Sequence, residues 1–191
     1  QPAPGKAVVF ESAPLTSDLV TIGTASVDLW LRANVDDADL EVNLSEVRPD
    51  GQEMFVQSGW LRASVRGLSA SATELWPAQT YLEQDVAPLV PGEWSSVRVG
   101  VAAFAHVFRT GSRIRISVDT PGDSRARWTF DLKKFSGAAK YDIGHSSAKP
   151  SSIVLPVIAG EVATTPLPPC PSLRGQQCRT HVVYTNVAAA P

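Results

Sequence analysis

The sequence predicts an all-β sandwich, and three observations carry that expectation. Apolar residues recur with a period of two along almost all of the 191 residues. Turn signals built from Pro, Gly and Asp punctuate the apolar runs every ~8–12 residues, the spacing of sandwich strands. Helical periodicity is absent outside short candidates such as Ser69 to Leu75, so no helices alternate with the strands.

The elements follow in chain order. Val27, Leu29 and Leu31 alternate with Asp28, Trp30 and Arg32, which places the first three inward and Trp30 on the outer sheet face. Leu40, Val42 and Leu44 alternate with Glu41 and Asn43, and the phase then slips before Val47, as a β-bulge would cause. Pro49-Asp50-Gly51 is a turn, because Pro fixes φ, Asp bonds its own backbone and Gly accepts φ > 0. It joins the preceding strand to a run from Glu53 to Arg66, with Leu61, Ala63 and Val65 on one face and Trp60, Arg62, Ser64 and Arg66 on the other.

Past a Ser/Ala-rich stretch and a Pro-punctuated segment from Pro77 to Pro91, strands resume with Val97, Val99 and Val101. Thr110-Gly111 turns the chain into Arg113 to Asp119, where Ile114, Ile116 and Val118 face in and Arg113, Arg115 and Ser117 face out. Pro121-Gly122 is a further turn, followed by alternating Trp128, Phe130 and Leu132. The last strong run is Ile153 to Ile158, whose Pro156 lacks an N–H and belongs at an edge or a strand end. About eight strands exceed an immunoglobulin-like domain of ~100 residues. A jelly roll of two Greek keys suits the length better. Residues 1–160 are expected to form this sandwich. Residues 161–191 read as a Pro-rich, cysteine-clipped extension packed along it, ending in a disordered Ala-Ala-Ala-Pro terminus.

Composition narrows the function classes. Seventeen Lys and Arg against nineteen Asp and Glu leave a net charge of −2, which gives nucleic-acid binding no electrostatic support. No apolar run approaches the ~20 residues of a membrane-spanning helix. A domain of this size buries ~70% of the surface its unfolded chain exposes and folds without a metal or a disulfide framework. The chain begins at Gln1 and its only Met is Met54, so it is expected to be a processed product or an excised piece.

Candidate chemistry is sparse. Gly122-Asp123-Ser124-Arg125-Ala126 and Gly144-His145-Ser146-Ser147-Ala148 approach the G-x-S-x-G nucleophile elbow, but both lack the second Gly and neither lies between a parallel strand and a helix. His106, His145 and His181 have no nucleophile or carboxylate at a telling spacing, so each reads as a structural or surface histidine. Asp36-Asp37-Ala38-Asp39 could offer oxygens to calcium but lacks the Gly and distal Glu of an EF-hand loop, and a solvated connection before Leu40 is the better reading. No catalytic residue, metal ligand or cofactor site is assigned. Trp30, Trp60, Trp76, Trp94 and Trp128 could stack on sugar rings if they formed one exposed row, the basis of an alternative reading as a free-standing carbohydrate-binding module.

Cys170 and Cys178 match neither C-x-x-C redox chemistry nor a four-ligand zinc site. A local disulfide closing the Pro/Gly-rich loop is favoured over two free thiols and would contribute roughly 2.5 kcal/mol. Gly175 would supply the φ > 0 freedom of so short a loop, and Val182-Val183-Tyr184 could pair with an edge strand. An oxidising compartment, hence a secreted or periplasmic parent, follows from that bond.

Several segments resemble the C-terminal domain of the cocaine esterase/X-Pro dipeptidyl-peptidase family of serine hydrolases. They are Ser12-Ala13-Pro14-Leu15-Thr16-Ser17-Asp18-Leu19 to Gly23 with Val27-Asp28-Leu29-Trp30, Asp37-Ala38-Asp39-Leu40 with Leu44-Ser45-Glu46-Val47-Arg48-Pro49-Asp50-Gly51, Phe108 to Ser117 around Gly111-Ser112-Arg113-Ile114-Arg115, and His145 with Pro150 to Val157. The resemblance implies a jelly-roll sandwich similar to galactose-binding domains. It also implies a Ser-His-Asp triad in an upstream α/β-hydrolase domain that this chain lacks. The expected partner is that catalytic domain, whose pocket the chain would help to wall, with a homo-oligomer in some members. The parent would cleave X-Pro dipeptides or hydrolyse esters or amides.

Overall fold

The computed structural model describes residues 2–122, 131–171 and 176–187. Among them nine strands form two antiparallel sheets, and helix is confined to single 3₁₀ turns at Ala63–Val65 and Glu83–Asp85. The strands are β1 (Val8–Glu11), β2 (Leu19–Ala33), β3 (Asp39–Val47), β4 (Gln52–Arg62), β5 (Trp94–Phe108), β6 (Arg113–Asp119), β7 (Tyr141–Ile143), β8 (Ser152–Val154) and β9 (Cys178–Thr180). One sheet runs β1-β6-β3-β4-β9; in the other, β5 lies along one side of β2 while β7 and β8 pair with the opposite side. The all-β sandwich is therefore the observed fold.

The period-two runs build the core. Val27, Leu29 and Leu31 of β2 and Val97, Val99 and Val101 of β5 pack in one cluster with Leu40, Val42 and Leu44 of β3 and Ile116 and Val118 of β6. Each such side chain contributes ~1.5–3 kcal/mol on full burial. The Pro49-Asp50-Gly51 turn forms by the expected chemistry. The Arg48 N–H donates to Gln52 O at 2.8 Å, the Gln52 N–H donates to Asp50 Oδ1 at 3.1 Å, and Gly51 adopts φ +79°. Glycine also permits the closest approach of the two sheets. A Cβ at Gly59 of β4 would collide with the Gly100 carbonyl of β5, and the ring of Pro77 sits 3.4 Å from where a Gly100 Cβ would be.

Several elements differ from the sequence reading. The ladder irregularity near Val47 belongs to β4: Leu44 pairs with Gln57 and Ser45 with Phe55, leaving Val56 as the extra residue. The β3–β6 ladder runs unbroken through Leu44, Ser45 and Glu46, so β3 keeps its phase and a glutamate takes the next core-facing position. β4 stops at Arg62 and continues as the 3₁₀ turn, short of Arg66. Ser69 to Leu75 forms turns, not helix, closed by Ala72 N–H to Ser69 O and Thr73 N–H to Trp76 O. β8 ends before Pro156, and Val157 then bridges to Thr21. Trp128 and Phe130 lie outside the described residues, and Leu132 lies in no strand.

Beyond Ile158 the chain keeps touching the sandwich. The Ala163 N–H donates to Asp18 Oδ2 at 3.1 Å, and Arg109 reaches Thr165 and Pro166. Arg48 Nη1 donates to Pro168 O at 2.9 Å. Cys170 and Cys178 are joined by a disulfide, with Cα atoms 5.7 Å apart. Gly175 and the terminal Ala-Ala-Ala-Pro are outside the described residues. The segment that pairs with an edge is Cys178–Thr180, against Gln52–Met54, while Val182 and Val183 are exposed. Arg179 clasps Glu53 at 2.8 and 2.9 Å. The chain then crosses the outer face of the five-stranded sheet: Arg115 Nη1 donates to Val182 O, and the Asn186 amide both accepts from Val9 N–H and donates to Val9 O. Arg115, which alternation places outward, is thereby only 1% exposed.

Gly59→Ala should destabilise the domain by about 1–3 kcal/mol or more in urea unfolding, because backbone stands where the methyl must go. Gly137→Ala, with open space around it, should lie within about 0.5 kcal/mol of the parent. Intact mass after alkylation should show no modified cysteine without reductant and two with it; two modified cysteines in the unreduced sample would refute the disulfide.

Candidate functional site

The most constrained polar cluster surrounds Glu46, which is 1% exposed at the end of the β3 core line. A bulge on the β2–β5 ladder, between Ala25↔Val101 and Gly23↔Phe104, shifts the phase of β5. His106 therefore points toward the core between Phe104 and Phe108, with the Phe108 ring edge-on at 4.7 Å. Its Nε2 lies 2.9 Å from Glu46 Oε2; Ser112 Oγ donates to Oε1 at 2.6 Å, and Arg109 N–H donates to the same oxygen at 3.1 Å. An ionised carboxylate only accepts, so Nε2 of His106 carries the proton. Burial pushes the Glu46 carboxyl up, but the hydrogen bonds from His106 and Ser112, the attraction of the His106 ring and the Arg109 N–H outweigh it and hold it below the ordinary value.

Serine, histidine and acid thus meet, but in an order without nucleophilic chemistry. A catalytic serine gives its proton to an imidazole that the acid orients from the far side. Here the acid stands in the middle, Ser112 is fully buried, and its hydroxyl donates to a carboxylate of depressed basicity. The cluster is a brace between the sheets. His181 Nε2 donates to Glu11 Oε1 at 2.9 Å beneath the C-terminal strap, and His145 is exposed with its ring 6.2 Å from that of Phe10. Ser146 sits in an exposed turn closed by Lys149 N–H, not at a strand-to-helix elbow, and Ser124 lies outside the described residues.

The acidic stretch is only partly solvated: Asp36 is exposed, whereas Asp37 and Asp39 are buried and engaged by protein donors. Asp37, 3% exposed, accepts from the N–H groups of Ala38 and Ser64 at 2.9 and 2.8 Å and from Ser64 Oγ at 2.7 Å. Asp39 takes two bonds from Arg62 at 2.7 and 3.1 Å and one from Lys133 N–H at 2.7 Å. Protein donors occupy these oxygens, and they tie the start of β3 to the end of β4.

The tryptophans form no exposed row among the described residues. Trp30 lies under Lys149, whose Nζ is 4.2 Å from the ring, and Arg32 stands 5.0 Å over Trp94. These cations take the outer-face ring surfaces that a sugar would need. Trp60 is half-buried and Trp76 exposed; with Pro77, Tyr81, Gly100 and Ala103 they line an open groove of about 470 Å³ beside β5. Tyr81 is the only non-glycine residue with positive φ among those described, at 51°.

The family model for the X-Pro dipeptidyl-peptidase C-terminal non-catalytic domain matches residues 1–129. The chain belongs to that family. Curated relatives of this C-terminal domain include two mycobacterial proteins named "Putative serine esterase", from Mycobacterium bovis and Mycobacterium tuberculosis. Each is 32% identical over 116 residues, covering 59% of this chain and 18% of the relative. Solved structures of similar fold include a CocE/NonD family hydrolase from Staphylococcus aureus, with TM-score 0.63 and 20% identity over 80% of this chain and 30% of that one. An α-amino acid ester hydrolase has TM-score 0.58 and 22% identity over 80% of this chain and 26% of that one. The chain therefore spans under a third of each relative, and its family is defined as non-catalytic.

Residue type alone missed Glu46, Ser112 and the buried role of Arg115. The one available signal was the broken alternation at Glu46-Val47, which a charge in a core position produces as readily as a bulge.

The lowered Glu46 carboxyl fixes a pH dependence. Its folded pKa lies below its unfolded one, so its contribution is complete above the ordinary range near 4.5 and is lost as pH falls through the folded value. Glu46→Gln should cost about 1.5–3 kcal/mol at pH 7 and progressively less in acid. Urea midpoints measured from pH 7 to pH 3 check this; a gap that stays constant with pH would show that the carboxylate charge contributes nothing.

Proposed function

We propose that this chain is the accessory domain of an X-Pro dipeptidyl-peptidase/CocE-like acyl hydrolase, a jelly-roll module that packs on the α/β-hydrolase catalytic domain and shapes the rim of its pocket. The family match over residues 1–129 carries this reading. The order of groups at Glu46 supports it from the other side, because the buried serine has no imidazole to accept its proton. Residues 1–160 act as the packing body, and residues 161–191 serve as an extension that straps the outer sheet. The parent hydrolase works on an acyl group, as an X-Pro peptidase, an esterase or an amidase. Its compartment is outside the reducing cytosol, secreted or periplasmic, where the Cys170–Cys178 bond persists.

The purified chain should show no turnover of p-nitrophenyl acyl esters or of X-Pro-p-nitroanilides. Turnover that survives repurification and the paired substitutions Ser112→Ala and Ser146→Ala would overturn the non-catalytic reading. The full-length polypeptide should hydrolyse one of these substrates with a serine of the upstream domain, and deleting residues 1–191 should lower its melting temperature as well as its kcat/KM.

A further inference from the structure

The 66–93 excursion between β4 and β5 projects apolar side chains from a fixed backbone. Trp76, Tyr81, Leu82, Val86 and Val90 are 45–67% exposed. Their backbone is held where a loose loop would not be. The Thr80 N–H donates to Gly67 O and Ser69 N–H to Ala78 O, Ala87 N–H donates to Ser64 O, and Arg98 Nη2 donates to the carbonyls of Thr73 and Glu74. The buried Leu89 anchors the far end, its N–H donating to Asp36 O. Exposed apolar groups on a pre-ordered backbone avoid the ordering cost that association otherwise carries. Tyr81 adds a second sign, since a non-glycine residue at φ 51° and 67% exposed is strained without burial to compensate.

Charge selects the kind of partner. The exposed charged residues within the excursion are Glu74, Glu83, Asp85 and Glu93. Its one cation, Arg66, donates to the carbonyls of Ala63 and Ala87. Two cations that border it are also engaged, Arg62 with Asp39 and Arg98 with Asp28. The face therefore presents an aromatic and aliphatic centre with an acidic rim.

We infer that the 66–93 face, centred on Trp76 and Tyr81, is the surface through which this domain seats on the α/β-hydrolase domain of its own polypeptide, against an apolar patch rimmed by Lys and Arg. This rests on the accessory-domain reading and adds to it the surface and its complement. The groove beside Trp60 and Pro77 is the socket for a large apolar side chain of the partner, as interface anchors fill pockets at the centre of a contact. A competing apolar patch, Ile22 with Val157 and Ile158, does not line the groove of Trp60, Trp76 and Tyr81.

Amide hydrogen exchange of the isolated chain and of the full-length polypeptide separates the possibilities. Exchange across residues 74–90 should slow roughly tenfold or more in the full-length protein. Trp76→Ser combined with Tyr81→Ser should abolish that protection, while Ile22→Ser leaves it intact. Protection confined to another face, such as 20–22 and 156–158, would overturn the surface and leave the accessory-domain reading standing. No protection anywhere would overturn both. Protection that arises in the isolated chain as its concentration rises would assign the face to a second copy and overturn the inference.

Discussion

A buried carboxylate at the mouth of the sandwich holds the two sheets in one relation to each other. Glu46 belongs to β3 of the five-stranded sheet, while His106 and Arg109 come from the end of β5 and from the turn that follows it. Ser112, on the far side of that turn, closes the set. Three donors converge on two oxygens, so the turn cannot tilt without stranding a charge in a dry site. Stranding one partner of such a cluster costs several kcal/mol, whereas forming the cluster gains little over an apolar filling. The consequence is specificity of register. A one-residue slip of β3 would turn Glu46 outward and Val47 inward, and it would misplace Leu40, Val42 and Leu44 as well.

The same geometry explains which parts of the fold were legible. Turns are local, and Pro49-Asp50-Gly51 announced both its φ requirement and its Asx hydrogen bond in three letters. The alternation of Ile114, Ile116 and Val118 likewise needs nothing beyond its own strand. Glu46 and His106 are sixty residues apart in sequence, and each looks like an interruption until the other is present. Arg115 reads as an outward cation because its cover arrives sixty-seven residues later, with Val182. Asp37 and Asp39 read as a solvated acidic run because Ser64 and Arg62 meet them only through the β3–β4 pairing. What alternation cannot report is what lies on the far side of a face.

Sheet edges show a related economy. An uncovered edge strand invites pairing with another chain. Here β9 covers the β4 edge, and the Asn186 side chain imitates a strand against Val9 of β1. Along β5, amides of Gln57 and Gln79 donate to the carbonyls of Ala103 and Arg98, and Pro77 lies over Gly100. A side-chain amide engages one residue of the strand at a time, so it caps an edge without extending the sheet. Backbone pairing is thus largely closed off as a mode of association on these edges, which leaves side-chain surface to do it.

That distinction bears on what a non-catalytic member of a hydrolase family needs from its sequence. Its serine, histidine and glutamate are the residue types of a triad, yet the acid lies between the other two, and the serine and the acid are buried. Moving the carboxylate from the far side of the imidazole to the middle turns a proton relay into a clamp. The same groups then serve rigidity. A rigid sandwich fixes the position of the long 66–93 excursion through Ser64, Asp36 and Arg98, all of which belong to or adjoin core strands. On the accessory role proposed above, that stiffness matters more than any reactive atom, because a misplacement of about 1 Å near a pocket is enough to cost two orders of magnitude in rate.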